Sequence, residues 1–445
     1  MRTPLILIVL LFCTAVSAAD KPNIIFIMAD DMGYGDLGCY GQPRIKTPNI
    51  DKLATEGMKF TQCYAGNTVC APSRCALMTG KHMGHAFVRG NADVALPPSE
   101  ITIATVLKNA GYVTGMFGKW GLGDPGTIGV PSKHGFDEFF GYLNQVHAHN
   151  YYPDHLFRND ERVEIPENKD GKHGVYSHDL FTKEALSFVE RHKAEPFFLY
   201  LPYTVPHGNN EAMKRKETGM QVPSDEPYTK EDWPQDEKNF AAMITRLDRD
   251  VGTLMAKLKE LDIDEKTLVF FTSDNGPTAE GHDPKFFKSG GPLRGIKRDL
   301  YDGGVREPMI ARWPGQIKAG AVSEQVWAFW DFLPTAAELC GGKLPDGIDG
   351  ISMKNALLGG EQKSHEYLYW EFHERGFTQA VRMGNWKAVR NVSGKPTELF
   401  DLMTDVGEKT DVAKDHADIL AKAEELFKSA RVDSKEFPVK MPKKK

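Results

Sequence analysis

The sequence predicts an α/β fold built on an open, doubly wound sheet, with a smaller subdomain towards the C-terminus. Four apolar runs are of the kind that forms parallel strands buried on both faces. Helical patterns lie between these runs, and such alternation is typical of a doubly wound sheet. Each run ends abruptly in polar residues, and open α/β sheets bind ligands outside the carboxyl ends of their strands. We therefore expect the functional site at that edge of the sheet.

The four predicted strands are each followed by a different polar group. They cover residues 23–29, leading to Asp30-Asp31; 113–118, leading to Lys119-Trp120; 196–201, leading to Pro206-His207; and 268–272, leading to Ser273-Asp274-Asn275-Gly276. Helices are predicted over residues 47–57, 102–110 and 239–261. The last of these has apolar residues at three- and four-residue steps, which predicts a face that packs on the sheet.

The C-terminal part of the chain has a different character. After a turn-rich connector at residues 345–350, short segments at 367–372, 378–383, 386–389 and 398–400 predict a small antiparallel sheet, and residues 413–430 predict a helix. We divide the chain into a signal peptide (1–18), a main domain (19–345) and a C-terminal subdomain with a basic tail (346–445). Residues 209–238 are charged and contain prolines, which favours a long surface loop beside the site.

The N-terminus has the features of a cleaved export signal. A positive charge at Arg2 precedes an apolar run over residues 4–16 and small residues at 17–18. This run is shorter than the ~20 residues of a spanning helix, and no other segment is apolar enough to span a bilayer. We therefore expect an exported, soluble protein without a membrane span, either periplasmic or secreted. The net charge of −6 argues against nucleic acid as a partner.

Two of the strand ends provide oxygen ligands for a metal ion. Asp30, Asp31, Asp274 and Asn275 offer three carboxylates and an amide oxygen, with no nitrogen or sulfur ligand among them. Such a set selects a hard cation, and Ca²⁺ is the first choice outside the cell, with Mg²⁺ second. The alternative for Asp30-Asp31 alone is a turn that caps a helix. That alternative weakens because a second strand delivers carboxylates to the same edge.

Cys70 opens the run Cys70-Ala71-Pro72-Ser73-Arg74. On a helix, residues four apart share a face, so Arg74 would lie beneath Cys70 at a helix N-terminus that favours an anion. The alternative is a structural or disulfide cysteine, with Cys75 close by. The run resembles the maturation signature C-x-P-S-R of the formylglycine-dependent sulfatases, which are arylsulfatase-like enzymes of the alkaline phosphatase superfamily. In that family a maturation enzyme oxidises the cysteine to formylglycine, whose hydrate attacks sulfate esters.

The resemblance extends along most of the chain. Its other matches are Asp30-Asp31, Gly118-Lys119-Trp120, Pro206-His207, Ser273-Asp274-Asn275-Gly276, Leu293-Arg294-Gly295-Ile296-Lys297 and Asp302-Gly303-Gly304-Val305-Arg306-Glu307-Pro308. Six ordered matches are specific, although each alone would be weak. The resemblance implies an alkaline-phosphatase-like, doubly wound mixed sheet with a smaller C-terminal α+β subdomain. It also implies an exported sulfatase that hydrolyses sulfate monoesters.

The resemblance assigns roles to residues at the site. Asp30, Asp31, Asp274, Asn275 and the modified Cys70 would ligate the metal. Arg74 would steady the formylglycine hydrate, and Lys119 and Lys297 would bind the sulfate and neutralise its charge. His207 would protonate the leaving alcohol, together with Lys297.

One departure from the family pattern concerns a histidine. The family continues Gly-Lys-Trp with a histidine that takes a proton from the hydrate, and this chain has Gly121 there. We hypothesise that His147 or His149 takes over that duty, with His147 preferred. The alternative is that Gly121 makes room for the substrate and that the imidazoles contact sugar hydroxyls.

The expected substrate is a sulfated carbohydrate or an aryl sulfate. The candidates for contacting it are Arg89, Asn91, Glu371, His373 and Glu374, together with His149. Two other functions remain open from the sequence. One is a phosphonate monoester or phosphodiester hydrolase of the same superfamily. The other is a catalytically inactive glycan-binding protein, should Cys70 remain a thiol.

Overall fold

The computed structural model of the protein describes residues 21–374, 376–391 and 395–439. The predicted signal peptide at 1–18 and the basic tail at 440–445 lie outside the described residues. No helix in the described part of the chain has both the length and the apolarity needed to cross a membrane.

A large mixed sheet forms the centre of the molecule. Eleven strands belong to it within the described residues: β1 (Asn23–Ala29), β2 (Met58–Tyr64), β3 (Val113–Lys119), β4 (Glu138–Tyr142), β5 (His155–Arg158), β6 (Glu161–Glu164), β7 (Phe197–Pro202), β8 (Thr267–Ser273), β9 (Arg306–Arg312), β10 (Ala321–Ser323) and β11 (Trp327–Ala328). The strand order is β10-β2-β9-β8-β1-β7-β3-β4-β5-β6, and β11 pairs with β2.

The middle of this sheet is parallel. Strands β8, β1, β7, β3 and β4 run in the same direction. Strand β9 is antiparallel to both β8 and β2, so β2 runs with the central strands. The carboxyl ends of β1, β2, β3, β7 and β8 therefore meet at one edge, as the sequence predicts for a doubly wound sheet.

Helices cover both faces of the sheet. They are α1 (Pro48–Glu56), α2 (Cys70–Thr79), α3 (Ile103–Asn109), α4 (Ser177–Arg191), α5 (Asn210–Lys214), α6 (Gln235–Glu260), α7 (Asp302–Val305), α8 (Phe332–Cys340), α9 (Lys354–Leu358) and α10 (Ala417–Ser429). Short 3₁₀ turns lie at Gly38–Tyr40, Pro131–His134, His147–His149, Pro166–Gly171, Asp264–Lys266 and Phe329–Asp331. The three helices predicted in the main domain correspond to α1, α3 and α6, whereas the predicted loop at 209–238 contains α5.

The two faces carry separate apolar cores. Side chains of β1 alternate between them, with Ile25 and Ile27 in one core and Phe26 and Met28 in the other. Helices α1, α4 and α6 pack on the first face, and α2, α3 and α8 pack on the second. A strand buried on both sides explains why β1 reads as a continuous apolar run rather than an alternating one.

The C-terminal segments form the predicted second sheet. Its strands are β12 (Leu368–Phe372), β13 (Thr378–Met383), β14 (Trp386–Arg390) and β15 (Glu398–Asp401), all antiparallel, and α10 packs against them. Buried Lys387 of β14 joins this sheet to α7, because its Nζ lies 2.6 Å from Oδ1 of Asp302. The same ammonium lies 3.2 Å from Oε1 of Glu408.

A second buried ion cluster lies at the junction, centred on Glu371 of β12, which is fully buried. Its carboxylate accepts hydrogen bonds from Arg89 of the main domain (2.8 Å), from Arg431 (2.7 Å) and from Tyr369 (2.9 Å), and contacts His373 (3.1 Å). Burial alone would raise the pKa of Glu371, but the hydrogen bond from His373 and the charges of Arg89 and Arg431 lower it to about 2. The charged form is therefore the one that stabilises the fold.

Replacing Glu371 tests this junction. At neutral pH, Glu371→Gln should lower the free energy of unfolding by about 3 kcal/mol, because Arg89 loses its buried counter-charge. The native pKa of about 2 lies below the ordinary value of 4.5, so the contribution is complete above pH 4.5 and fades towards pH 2. Urea unfolding at stepwise pH should show the difference from wild type shrinking in that window. The exposed Glu366→Gln is the control, and a pH-independent difference would contradict the assignment.

Candidate active site

The ends of three parallel strands bring polar side chains together at one edge of the sheet. Asp30 and Asp31 follow β1, Asp274 and Asn275 follow β8, and Lys119 is the last residue of β3. Strands β1 and β8 are paired in register up to their final residues, so the two acidic pairs emerge side by side. All five side chains are buried.

Connections at the same edge supply the remaining predicted residues. Cys70 is the first residue of α2, which follows β2, and His207 lies in the loop after β7. Lys297 lies in the long connection between β8 and α7. The structure thus brings the predicted metal ligands and Cys70, Arg74, Lys119, His207 and Lys297 into one cluster.

Asp30 is the centre of this cluster. Its Oδ1 accepts from the thiol of Cys70 at 3.3 Å, and its Oδ2 accepts from Nζ of Lys119 at 2.8 Å. The guanidinium of Arg74 lies 3.3 Å from the same Oδ2. Burial alone would raise the pKa of Asp30, but Lys119 and the other positive charges hold it well below its usual range. Asp30 is therefore ionised.

Asp31 and Asp274 complete the acidic group. Oδ2 of Asp31 lies 2.7 Å from Nζ of Lys297, and its Oδ1 accepts from the side-chain amide of Asn275 at 2.8 Å. Asp274 forms a close ion pair with Arg74 at 2.7 Å. Burial, and then the charge of Asp30, raises the pKa of Asp274 to about 7. Burial likewise raises the pKa of Asp31. Carboxylates packed so closely repel one another, and a single cationic side chain beside each does not provide enough positive charge to keep all of them ionised.

The donor atoms suit a hard divalent cation. Oδ1 of Asn275 is a buried acceptor that has no hydrogen-bond partner among the described residues, and a bound cation would satisfy it. One ligand atom from each of Asp30, Asp31, Cys70 and His207 lies within 4.8 Å of the others. Carboxylate and amide oxygens are the ligands of Ca²⁺ and Mg²⁺. The residues present therefore fit the predicted metal.

Helix α2 fixes Cys70 through the side chain of Arg74. All ten residues of α2 are buried. Arg74 donates to Oδ2 of Asp274 at 2.7 Å and to the carbonyl oxygen of Lys119 at 2.7 Å, so it ties α2 to β8 and β3. Ser73 adds a hydrogen bond to the carbonyl oxygen of Asp274 at 2.6 Å. Burial, and then the charge of Asp30, raises the pKa of the Cys70 thiol well above its usual value.

His207 and Lys297 form a hydrogen-bonded pair. Nδ1 of His207 donates to the carbonyl oxygen of Gly208 at 2.7 Å, which leaves Nε2 without a proton. Nζ of Lys297 donates to that Nε2 at 3.1 Å. Burial and the charge of Lys297 lower the pKa of His207 well below its usual value. His207 is neutral, and the mobile proton of the pair is on Lys297.

The two candidate histidines for the role of the missing family histidine lie in different places. The ring of His149 stacks on that of His207, with centroids 4.6 Å apart and planes at 9°. Nδ1 of His149 lies 2.8 Å from Oε2 of Glu211. His147 instead stacks on His155 with centroids 4.4 Å apart. The structure brings His149, and not the preferred His147, to His207.

Gly121 has a backbone conformation that favours glycine, with φ of +76°. The side chain of Gln145 lies over it, so a Cβ at this position would come within 3.0 Å of Cδ of Gln145. Gln145 also donates to Oδ1 of Asn91 at 3.3 Å, and that oxygen accepts from the backbone amide of Ala71 at 3.0 Å. Gln145 thus fills the space beside the residue where the family has histidine.

The predicted substrate contacts have mixed positions. Arg89 and His373 both bind Glu371, so they take part in the ion cluster at the junction of the two sheets. Asn91 does reach the start of α2, through the amide of Ala71. Whether any of the three contacts substrate stays a prediction.

Three residues at the site lie outside every motif recognised in the sequence. Glu211 pairs with His149, Gln145 covers Gly121, and Glu280 lies 3.4 Å from Nζ of Lys297 and 2.7 Å from Nη1 of Arg298. Each lies in a loop or a very short helix outside the recognised motifs. Charge was the only clue in the sequence, and it applies to Glu211 and Glu280. Both belong to segments, 209–238 and 277–301, whose acidic residues flank predicted cationic positions.

Comparisons with known proteins agree with this geometry. The Sulfatase family model matches residues 22–342, and the model for the C-terminal part of N-sulphoglucosamine sulphohydrolase matches residues 296–432. N-acetylgalactosamine-6-sulfatase of Canis lupus familiaris is 36% identical over 403 residues, which are 84% of this chain and 72% of the relative. Arylsulfatase A of Bos taurus is 31% identical, over 97% of this chain and 91% of the relative.

Solved structures give the same result. The crystal structure of Ps i-CgsB in complex with k-i-k-neocarrahexaose matches with a TM-score of 0.82 and 31% identity, and the match covers 95% of both chains. The mixed sheet with a small antiparallel sheet behind it is thus the alkaline-phosphatase-like fold that the sequence predicts. The chain belongs to the sulfatase family and is a sulfuric ester hydrolase.

Proposed function

We propose that this protein is an exported sulfatase that hydrolyses sulfate monoesters on carbohydrates, using formylglycine made from Cys70 and a bound Ca²⁺. The observation that carries the proposal is the position of Cys70, whose Sγ lies 3.3 Å from Asp30 within the cluster of carboxylates and lysines. The relatives support the substrate class. One is named for a sulfated amino sugar, and another is solved with an oligosaccharide.

The cationic side chains account for sulfate binding. Lys119 and Lys297 are buried ammonium groups on either side of Asp30 and Asp31, and such groups act strongly on an anion in a water-poor site. Burial alone would lower their pKa values, but the neighbouring carboxylates raise both. They therefore stay protonated and neutralise charge on the sulfate oxygens. A bound Ca²⁺ would add charge that holds the sulfate and activates the nucleophile.

The proton transfers follow from two histidines. Formylglycine would supply a hydrated aldehyde as the nucleophile that displaces the alcohol from sulfur. The hydrogen bond from Lys297 to His207 makes this pair the source of the proton for the leaving alcohol. On the other side of His207, His149 has its Nδ1 held by Glu211. Its Nε2 is then the base that would take the proton of the remaining hydroxyl as the C–O bond to sulfate breaks, which releases sulfate and restores the aldehyde.

Maturation of Cys70 can be measured directly. The protein should be exported from cells that contain a formylglycine-generating enzyme. Its peptide with Cys70 should then be about 18 Da lighter than the unmodified peptide, because one sulfur and two hydrogens are lost and one oxygen is gained. Cys70→Ala should abolish sulfatase turnover, and Cys75→Ala, which changes another buried cysteine of the same helix, is the matched control. A peptide that carries only thiol or disulfide would overturn the mechanism and favour the glycan-binding alternative.

Metal binding should stabilise the folded protein. Removing divalent ions with EGTA should lower the melting temperature and abolish turnover, because the carboxylates of Asp30, Asp31 and Asp274 lose their shared counter-charge. Calcium should restore both more fully than magnesium. Asp31→Asn should remove the response to calcium, whereas the exposed Asp154→Asn should retain it. Equal melting temperatures with and without calcium in wild type would contradict the site.

The two histidines can be separated by mutation. His149→Ala should lower kcat by about 100-fold, the usual size of a general acid–base contribution, and Glu211→Gln should lower it by less. In wild type, kcat should fall at acidic pH, where the base is protonated. Of these variants, only His149→Ala should lose that fall. His147→Ala should affect the melting temperature more than kcat, since this ring packs on His155. The reverse result, a loss of kcat in His147→Ala alone, would assign the base to His147.

The substrate that the enzyme prefers distinguishes a sulfatase from the remaining alternative function. Turnover of a sulfate monoester should exceed that of a matched phosphate diester or phosphonate monoester. A preference for the phosphorus esters would identify a phosphonate monoester or phosphodiester hydrolase instead.

A further inference from the structure

A polar cleft opens beside Gly121. Its accessible volume is about 50 Å³, and three stretches of chain form its walls: residues 92–95, residues 121–127 and residues 143–145. Gly121 lies two residues after Lys119, so the cleft begins next to the reaction centre.

Hydrogen bonds also connect the cleft to Cys70. Gln145, in its wall, donates to Asn91 at 3.3 Å, and Asn91 accepts from the amide of Ala71 at 3.0 Å. Ala71 directly follows Cys70. The chain that forms the wall continues through Val146 to His149, which stacks on His207. The cleft is therefore close enough to the site to receive the sugar next to one whose sulfate lies between Lys119 and Lys297.

The chemistry of the cleft differs from that of the reaction centre. Its lining has two carboxylates, Asp93 and Asp124, two amides, Asn144 and Gln145, and the hydroxyl of Thr127; within the described part of the chain no lysine, arginine or histidine lines it. The amide of Asn144 donates to Asp124 at 2.7 Å, which fixes that carboxylate. Acceptors are thus in excess, and they suit hydroxyl donors.

The same charges exclude an anion. A second sulfate or a sugar carboxylate in the cleft would face Asp93 and Asp124 without a cation to pair with. Lys119 and Lys297 face the first sulfate in the proposed function and are not among the residues that line the cleft. The cleft therefore discriminates by charge as well as by hydrogen bonding.

Gly121 controls the shape of this cleft. A side chain there would lie within 3.0–3.4 Å of the carboxamide of Gln145 and would have to displace it. The φ of +76° adds strain for most other residues. Glycine at this position thus allows Gln145 to form part of the wall.

We propose that the cleft is a subsite for an uncharged, hydroxyl-bearing sugar unit next to the sulfated one, with Asp124 and Gln145 as its specificity-determining residues. This inference rests on the proposed function, because it names the neighbour of the sulfated sugar in that substrate. It predicts that the enzyme acts on glycans that carry no second anionic group at the adjoining sugar.

Three matched substrates test the subsite: 4-nitrophenyl sulfate, a disaccharide of N-acetylgalactosamine 6-sulfate or galactose 6-sulfate joined to unsulfated galactose, and the same disaccharide with a second sulfate on the galactose. In wild type, kcat/KM for the monosulfated disaccharide should exceed that for the disulfated one by about tenfold or more. In Asp124→Asn combined with Gln145→Ala, the ratio of monosulfated disaccharide to 4-nitrophenyl sulfate should fall by about tenfold, and the discrimination against the second sulfate should narrow.

The controls make the outcome decisive. Asp124→Asn preserves the acceptor for Asn144, and the exposed Asp346→Asn changes the same net charge outside the cleft. An unchanged ratio in the double variant, or a wild-type preference for the disulfated compound, would overturn the subsite while leaving the sulfatase function intact. Absence of turnover for every sulfate ester, in protein with matured Cys70, would instead overturn the proposed function, and the subsite with it.

Discussion

The structure of the site depends on one interaction, the clamp that Arg74 forms between three elements. Its guanidinium pairs with Asp274 after β8, approaches Asp30 after β1 and donates to the carbonyl oxygen of Lys119 in β3. Arg74 lies one turn after Cys70 on a helix without an exposed residue. The position of the nucleophile is therefore fixed by a buried ion pair, and removing one partner of such a pair costs about 3–5 kcal/mol.

The clamp is possible because the central strands are parallel. Burying charged side chains away from water costs free energy. The fold offsets this cost by pairing Asp30, Asp31 and Asp274 with Arg74, Lys119 and Lys297. These six side chains are far apart in sequence and converge only where strand ends and their following loops meet. The backbone is strained at this point, since Asp31 has a φ of +65°. A doubly wound sheet thus provides both the rigid frame and the place where charge can collect.

Much of this could be predicted from the sequence, for definite physical reasons. Strands buried on both faces give long apolar runs, and the polar residues after them must emerge at one edge, so the metal ligands and Lys119 could be grouped without a structure. Residues in loops could not be placed this way. His147 and His149 are two residues apart in one 3₁₀ turn, and only the loop conformation decides which ring reaches His207. Arg89 and His373 looked available for substrate, yet a fully buried Glu371 binds both.

One segment of the chain is involved in both consequences of having glycine at position 121. Residues 143–149 place Gln145 over Gly121 at their start and His149 against His207 at their end. In our proposals the first contact shapes a neutral sugar subsite, and the second supplies the base that the family takes from the position of Gly121. With the imidazole in a neighbouring loop, Gln145 occupies the space beside Gly121, and Glu211 from α5 orients the ring of His149. A change in proton transfer and a change in substrate selection would therefore have a single structural origin, in the glycine that follows Lys119 and Trp120.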